Sequence, residues 1–418
     1  MLRIRPLAAS AGMALILGLG LVVPSARGQE RAAIRLSQVR LALPPSDKAL
    51  ALRQALVKGL LVQETTPGEY VGSASQMNAT AVPLGIEQES SNIGFNQMVG
   101  EDMATALREV VKFHSVRHGG FPRGHAVEIA WQEKYSPKDG PSGAVACALL
   151  LESLLTGVTM AEDFAVTGDL NADGKVEPVG GVPAKVRGAK EKGCHVVAVP
   201  AVCDRQIADV VLLDGPAMLW STQVFGISTF DEALAVGRSQ RDEKLARALA
   251  EFGEVQRVLA QRGAGLLTNP KVQEKLRIVV EAAPNHLSAR QLLLVASGKS
   301  PTQLSPAGSI NLVEALGQRI LLLTENQSTT GAGLAPDELT RSLNELGRMR
   351  PKLDKRTWAY ADSVLTLCTV IRDLNKDTAR TEAKRTDQQK RLNEALAATR
   401  QSWAKLKADK DFMAECMK

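Results

Sequence analysis

The chain has 418 residues, enough for two or three domains, with 51 Lys and Arg against 45 Asp and Glu and a net charge of +6. This balance would fit an anionic partner, but basic and acidic residues alternate along helical stretches such as residues 380–391. Alternation of this kind is typical of a solvated helix face, so nucleic acid is not expected as a partner.

An export signal is predicted over residues 1–28. Arg3 and Arg5 precede an apolar run over residues 7–23, and small residues then favour cleavage after Gly28. The alternative is an uncleaved membrane anchor, although the apolar run is short beside the roughly 20 residues of a spanning helix. We therefore expect an exported protein, periplasmic or extracellular.

Composition changes near residue 240, and before that point two kinds of segment alternate. Glycine and proline separate short β-like runs from helix-like runs, which is typical of α/β or α+β folds. The β-like runs are residues 127–131, 164–167, 195–200 and 219–224. The helix-like runs are residues 103–116, 144–155, 185–192 and 204–213.

After residue 240, apolar residues recur at helical spacing among Ala, Lys, Arg and Glu, which predicts an all-α domain. Loops are predicted over residues 298–308 and 328–333. Residues 282–294 resemble one helix of a tetratricopeptide-type hairpin, but no repeat recurs at the required period, so an α-solenoid is only an alternative. The predicted helices are residues 244–262, 272–283, 288–296, 309–324, 336–346, 357–374 and a last run to about residue 410.

Five cysteines are scattered through the chain without the spacing of metal ligands, so no zinc site is expected from them. Cys147 lies in an apolar run, where a buried thiol is the ordinary interpretation. Cys194 and Cys203 could pair in an oxidising compartment, and the sequence leaves this open. The others are Cys368 and Cys416.

The stretch SPKDGPSGA, residues 136–144, makes Ser142 a candidate functional residue. Pro141 and the glycine before it prevent a helix, and an apolar run follows, so Ser142 falls at a helix N-terminus. Backbone amides are unpaired there and could hold an oxyanion. The serine is thus either a helix cap or a nucleophile, and local chemistry favours the cap.

A serine nucleophile needs a base. None of the five histidines lies in a pattern that indicates this role, although a triad assembled in space stays open. Lys185 is another candidate, because it follows Gly180 and Gly181 at the start of a helix-like run of apolar and small residues. Burial would disfavour its ammonium form and leave a neutral amine.

Several stretches, in the same order and at the same separations, resemble the proteolytic domain of Lon proteases. They are SPKDGPSGA at 136–144, AVTGD at 165–169, GKVEPVGG at 174–181, AK at 184–185 and HVVAVP at 195–200. That family uses a Ser-Lys dyad. The resemblance therefore implies that Ser142 is the nucleophile and that Lys185, 43 residues later, is its base.

The resemblance also implies supporting residues. Thr167 matches the threonine that hydrogen-bonds the catalytic lysine, and Asp139 matches an acid with a positional or electrostatic role. One departure is the order Gly-Ala at residues 143–144, where the family usually has Ala-Gly, but both orders keep small residues beside the nucleophile. The remaining motif residues are Gly140, Pro141 and Gly143.

On this basis the chain divides into an α+β protease domain resembling the Lon proteolytic domain and an all-α helical C-terminal domain. Typical Lon proteases carry an ATPase module before the protease. Residues 297–300 partly match a phosphate-binding loop, but Leu293 stands where that motif needs its first glycine. Neither ATP nor another cofactor is therefore expected. The expected segments are the signal peptide 1–28, a lead-in 29–61, the protease domain 62–238 and the helical domain 239–418.

Residues 169–176 imitate a calcium-binding loop, with oxygen-bearing side chains at alternate positions and a glycine at the sixth. The twelfth position would be Gly180 instead of a bidentate glutamate. Asn and Asp-Gly also favour tight turns on their own account. We therefore predict a β-hairpin here and no metal.

The function expected from the sequence is that of an exported, ATP-independent serine endopeptidase acting on unfolded or flexible polypeptides. The resemblance is compatible with a homo-oligomer, since Lon protease domains commonly form rings, and the C-terminal helices could bind a protein partner. Two alternatives stay open. One is a self-processing peptidase, and the other is a non-catalytic scaffold or interaction protein built on a Lon-like domain.

Overall fold

The predicted signal peptide, residues 1–28, and the loop predicted over 328–333 lie outside the residues that the structure describes. Within the described residues, every helix falls short of the length or the apolar character needed to cross a membrane. The computed structural model describes residues 37–43, 45–46, 48–66, 69–84, 90–133, 136, 138–325, 336–376 and 381–416.

One mixed sheet organises the first part of the chain. The strands are β1 (Arg40–Leu43), β2 (Pro45–Ser46), β3 (Gln54–Thr66), β4 (Glu69–Pro83), β5 (Ser91–Phe95), β6 (Phe121–Pro122), β7 (His125–Trp131), β8 (Phe164–Val166), β9 (Asp169–Leu170), β10 (Val176–Glu177), β11 (Val196–Pro200) and β12 (Gln223–Ile227). Eight of them form a sheet in the order β1-β5-β7-β4-β3-β8-β11-β12. The strands β3, β8, β11 and β12 run parallel, whereas β4 pairs antiparallel with both β3 and β7.

Helices connect these strands and then form the rest of the described chain, so the predicted order of an α+β region followed by helices is confirmed. The helices are α1 (Glu101–His118), α2 (Ala144–Thr156), α3 (Val182–Glu191), α4 (Asp204–Asp214), α5 (Ala217–Ser221), α6 (Phe230–Gly237), α7 (Glu243–Arg262), α8 (Pro270–Ala282), α9 (Leu287–Ala296), α10 (Pro306–Glu325), α11 (Pro336–Met349), α12 (Trp358–Lys376), α13 (Glu382–Ala408) and α14 (Lys410–Cys416).

Helix α2 is apolar except near its C-terminal end, and its residues are buried on all sides. Residues 144–154 are all buried, and α2 contacts α1, α6 and the strands β3 and β4. A helix without a polar face can be stable in water only in such a position. The N-terminus of α2 is therefore fixed in the interior, and Ser142 lies just before it.

The long hairpin of β3 and β4 shows where the sheet begins. Ala55 and Val57 are buried while Leu56, between them, is 49% exposed, which is the alternation of a half-buried strand. This alternation precedes residue 62, where the resemblance placed the start of the protease domain. A boundary between residues 61 and 62 would cut β3, so the sheet starts before it.

Two local predictions can be compared with the structure directly. The strand predicted over residues 219–224 is wrong in its first half, because α5 continues to Ser221 and β12 begins only at Gln223. Pro216 precedes α5 and suits a helix start, where a missing amide breaks no intrahelical hydrogen bond. The hairpin predicted over residues 169–176 is confirmed by the antiparallel pairing of β9 and β10.

The helices after residue 240 belong to two different hydrophobic cores. The first core runs from Val39 to Leu292 and includes apolar side chains of α7, α8 and α9. The second runs from Leu304 to Cys416 and unites α10 to α14. The first core therefore extends across the domain boundary predicted at residues 238–239.

The chain around the start of α9 covers the outer edge of β12. Ser288 Oγ accepts a hydrogen bond from the Val224 amide at 2.9 Å and donates to the Thr222 carbonyl at 2.8 Å. The Nε2 atom of His286 lies 3.0 Å from Gln223 Oε1. An uncovered sheet edge would present unpaired backbone groups, so this contact explains why α9 joins the first core.

A buried polar contact connects the two cores. Asp209 of α4 is 1% exposed and accepts hydrogen bonds from Ser305, from its amide at 2.7 Å and its hydroxyl at 2.5 Å. Burial raises the pKa of Asp209 to about 6, while these hydrogen bonds favour its carboxylate. The contact fixes the chain just before α10 against the first core.

Candidate active site

Ser142 lies in a single 3-10 turn, Pro141–Gly143, that leads directly into α2. Its side chain is half-buried, and its carbonyl oxygen accepts two hydrogen bonds from the segment after β8. Gly168 donates its amide at 3.0 Å, and Thr167 donates its hydroxyl at 3.2 Å. The serine is thereby held at the carboxyl end of β8, where parallel sheets commonly carry their sites.

The turn before this 3-10 helix is attached to the N-terminus of α1. Asp139 Oδ1 accepts hydrogen bonds from the Gly140 amide at 2.7 Å and the Met103 amide at 3.3 Å. The Gly100 amide donates to the Lys138 carbonyl at 2.9 Å. A carboxylate that accepts from the first-turn amides of a helix interacts favourably with the helix dipole. Asp139 thus has a positional role in this geometry.

Two glycines make this arrangement possible. Gly140 has φ 91° and ψ 145°, a conformation that side chains rarely adopt. A Cβ atom on Gly100 would lie 2.1 Å from the carboxyl carbon of Asp139. Gly140 was expected from the motif, whereas Gly100 was not identified in the sequence.

Lys185 extends from α3 into the interior and is 2% exposed. Its Nζ donates a hydrogen bond to Thr167 Oγ1 at 3.0 Å, and Thr167 in turn donates to the Ser142 carbonyl. Burial lowers the pKa of Lys185 to about 8, against a smaller opposite effect of the Cys203 sulfur. The structure thus brings Lys185, Thr167 and Ser142 into one hydrogen-bonded group, with a lysine that loses its proton readily.

Helix α3 approaches β4 closely at two glycines that the sequence analysis did not identify. A Cβ atom on Gly72 of β4 would lie 1.8 Å from the Ala184 carbonyl oxygen and 2.8 Å from the Lys185 amide nitrogen. A Cβ atom on Gly188 of α3 would lie 2.1 Å from the carbonyl carbon of Gly72. A glycine inside a strand often indicates such an approach of two backbones. Here the close packing of α3 on β4 determines how far the Lys185 side chain lies inside the protein.

We expect the substitution Gly72→Ala to impair both stability and peptide cleavage. The new methyl group would push α3 and Lys185 away from β4. Overpacking of this kind costs about 1–3 kcal/mol, and a displacement of about 1 Å in a catalytic group can lower the rate roughly 100-fold. Thermal melting and cleavage of a fluorogenic peptide would measure the two effects.

The matched control is Gly253→Ala in α7, where a Cβ atom would meet nothing within 4 Å. This variant is expected to melt no lower than the wild type, because alanine is the better helix residue. If Gly72→Ala kept the melting temperature and the cleavage rate of the wild type, the close approach of α3 and β4 would be refuted.

Other groups near the start of α2 already have partners. The Val145 amide donates to the Gly168 carbonyl at 3.1 Å, and the Ala144 amide donates to the Pro141 carbonyl. Any backbone donor to a substrate oxyanion would therefore come from the turn that precedes Ala144. The five cysteines are free, buried thiols, so Cys194 and Cys203 are not joined.

Three of the five histidines contact groups other than the Ser142 turn, which argues against a Ser-His pair built from them. His114 Nε2 lies 3.0 Å from the Ala148 carbonyl oxygen, and His118 Nε2 lies 2.8 Å from Glu152 Oε2. His286 is held at the edge of β12, as described above. By contrast, Lys185 shares a hydrogen-bonding partner with the serine turn.

Comparison with known proteins agrees with this geometry. Residues 98–227 match the family model of the Lon protease (S16) C-terminal proteolytic domain. This range contains Ser142, Thr167 and Lys185, so the resemblance indicated by the motifs is confirmed for this part of the chain.

Curated relatives match the same kind of domain. The chain is 34% identical over 135 residues to Lon protease 1 of Thermus thermophilus, which covers 31% of this chain and 17% of that protein. It is 31% identical over 188 residues to Lon protease 1 of Syntrophotalea carbinolica, which covers 40% of this chain and 22% of that protein. The chain thus spans about a fifth of the length of these relatives.

Proposed function

We propose that the protein is a serine-type peptidase in which Ser142 is the nucleophile and Lys185 is the general base. The observation that carries the proposal is the buried Lys185 amine, hydrogen-bonded at 3.0 Å to Thr167, which itself binds the Ser142 turn. A buried lysine whose pKa is lowered to about 8 can serve as a general base, and Thr167 connects it to the backbone carbonyl of the half-buried serine.

In the first step, neutral Lys185 Nζ takes the proton of Ser142 Oγ while the oxygen attacks the carbonyl carbon of a peptide bond. Backbone amides of the turn before Ala144 stabilise the resulting oxyanion. Breaking the C–N bond leaves an ester on Ser142, and the lysine ammonium gives its proton to the departing amine. Water, deprotonated by Lys185, then hydrolyses the ester and restores Ser142.

We further propose that cleavage needs no ATP and acts on unfolded or flexible polypeptides. Residues 297–300, the partial match to a phosphate-binding loop, follow the C-terminal end of α9 instead of joining a strand to a helix, which argues against a nucleotide there. Export is proposed as well, and its support is the apolar sequence of residues 1–28 behind two arginines.

The rate of cleavage is expected to rise with pH between 7 and 9. Burial lowers the pKa of Lys185 to about 8, so the neutral amine grows from a minor to the major form across this range. The value of kcat/KM for a peptide without titrating groups should increase roughly tenfold. A profile that stays flat from pH 7 to 9 while circular dichroism is unchanged would contradict the role of Lys185.

The proposed function can be tested by incubating the purified chain with unfolded, casein-like protein without ATP and identifying peptides by mass spectrometry. We expect defined peptides from the wild type, none from a Ser142→Ala variant, and the same rate when ATP and Mg²⁺ are added. Fragments of the chain alone would indicate a self-processing peptidase, and no cleavage at all would indicate a scaffold. Either result would refute the proposal.

A further inference from the structure

A second group of reactive side chains lies near the C-terminal end of α1, away from the turn of Asp139. His114 and His118 are four residues apart and share one face of the helix, and Glu152 faces them from α2. Glu152 Oε2 is 2.8 Å from His118 Nε2 and 3.6 Å from His114 Nδ1. One ligand atom from each of the three residues lies within 4.8 Å of the others.

The orientation of His114 presents an unpartnered nitrogen to this cluster. Its Nε2 carries the proton, because the Ala148 carbonyl oxygen beside it can only accept a hydrogen bond. The Nδ1 atom therefore has a free lone pair, and it finds no hydrogen-bond partner in the described part of the chain although the residue is 1% exposed.

In this geometry two hydrogen-bond acceptors, His114 Nδ1 and Glu152 Oε2, face each other. With the proton on Nε2, the His114 lone pair at Nδ1 and a carboxylate oxygen, buried 3.6 Å apart, repel unless a second proton or a metal cation lies between them. Buried polar atoms in folded proteins nearly always have a partner, so the unpartnered Nδ1 atom needs an explanation. A bound cation would provide one.

We propose that His114, His118 and Glu152 form a binding site for Zn²⁺. Imidazole and carboxylate are ligands that zinc prefers, and two histidines at i and i+4 with one carboxylate are a common set. A tetrahedral zinc with bonds of about 2.0–2.1 Å holds its ligand atoms roughly 3.3 Å apart. The distances of 2.8 and 3.6 Å to Glu152 Oε2 lie on either side of that value.

The surroundings orient these ligands and balance the charge. The Ala148 carbonyl fixes the His114 ring, and Arg117 Nε lies 3.5 Å from Glu152 Oε1, which leaves Oε2 facing the imidazoles. Arg117 is also paired with Asp231 at 2.8 Å, so two carboxylates surround one guanidinium and the group is net negative before the ion binds. The side chain of His118 is 15% exposed, which gives the ion access and leaves a position for water.

Bound zinc would join α1 to α2. The N-terminal end of α1 hydrogen-bonds Asp139, and α2 begins just after Ser142. The ion would therefore stiffen both helices that hold the serine turn. The site takes no part in peptide cleavage, and it does not depend on the proposed function. Zn²⁺ binding by the Ser142→Ala protein should therefore equal that of the unsubstituted chain, whatever the outcome of the cleavage experiments.

The test uses the full chain without an affinity tag, titrated with Zn²⁺ against a chromogenic chelator. We expect one tightly bound ion and no competition by Mg²⁺. In His118→Gln the affinity should fall by at least the roughly 10–100-fold that loss of a residue hydrogen-bonded to a metal ligand costs. Thermal melting should show that Zn²⁺ raises the melting temperature of the unsubstituted chain and leaves that of His118→Gln unchanged. His118 is partly exposed, so this variant is expected to fold.

His195→Gln is the matched control, because His195 is exposed and lies outside the cluster. It should bind Zn²⁺ like the unsubstituted chain, and Glu152→Gln should weaken binding as His118→Gln does. Equal affinities of the unsubstituted chain and His118→Gln would overturn the proposal. So would an equal loss of affinity in His195→Gln, which would indicate adventitious binding at surface histidines.

Discussion

Replacing Ser142 by alanine is expected to abolish peptide cleavage and to leave the fold unchanged. The substitution removes the attacking oxygen, and loss of a nucleophile lowers kcat by a factor on the order of 10⁴ or more. The contacts that hold the turn involve the Ser142 carbonyl oxygen, which accepts from Gly168 and Thr167 and is retained by alanine. Cleavage of a fluorogenic peptide and thermal melting would measure activity and stability separately.

A matched control for this variant is Ser297→Ala, which changes an exposed serine at the end of α9. It should cleave peptide at the wild-type rate. Residual cleavage by Ser142→Ala above a tenth of that rate, with an unchanged melting temperature, would show that another group is the nucleophile.

Replacing Lys185 by methionine is expected to have an effect of similar size. Methionine fills nearly the same space without an amine, so Ser142 would lack a base, and we expect kcat to fall on the order of 10³-fold or more. Because the buried amine is hard to charge, its removal should not lower the melting temperature. The double variant with Ser142→Ala should be no less active than Ser142→Ala alone, since the two residues act as a unit.

The control for Lys185 is Lys190→Met, on the same helix but exposed. It removes the same charge from α3 without touching Thr167, and it should retain full activity. If both lysine variants lost activity equally, the net charge of α3 would matter and the proton transfer would not be specific to Lys185.

The candidate site was largely predictable because its residues lie in short, ordered stretches. Ser142, Thr167 and Lys185 were identified from the resemblance, and the structure brings them together at the end of β8. Physical reasoning on Ser142 alone favoured a helix cap. The structure does place Ser142 just before α2, but it lies inside the 3-10 turn, and the N-cap residues are Gly140 for that turn and Gly143 for α2. The cap interpretation was therefore wrong.

The parts that could not be predicted depend on contacts between distant segments. Nothing in the sequence distinguishes Gly72 from the other glycines, of which the chain has 34 in total. Its importance follows from the close approach of α3 in the fold. His114 and His118 show their helical spacing in the sequence, but Glu152 joins them only because α1 and α2 pack together. Likewise, helical periodicity predicted α9 but could not indicate that Ser288 would bind the edge of β12. Local patterns specify elements, whereas tertiary contacts decide which elements meet.

The central claim is that Lys185 activates Ser142, and covalent labelling with a serine-reactive phosphonate tests it most directly. Mass spectrometry of the labelled, folded chain should find one adduct, on Ser142, with a labelling rate that rises through pH 8. The Lys190→Met protein should label like the wild type, and the Lys185→Met protein should label at least about 100-fold more slowly. An adduct on a different serine, or equal labelling of Ser142 with and without Lys185, would contradict the account.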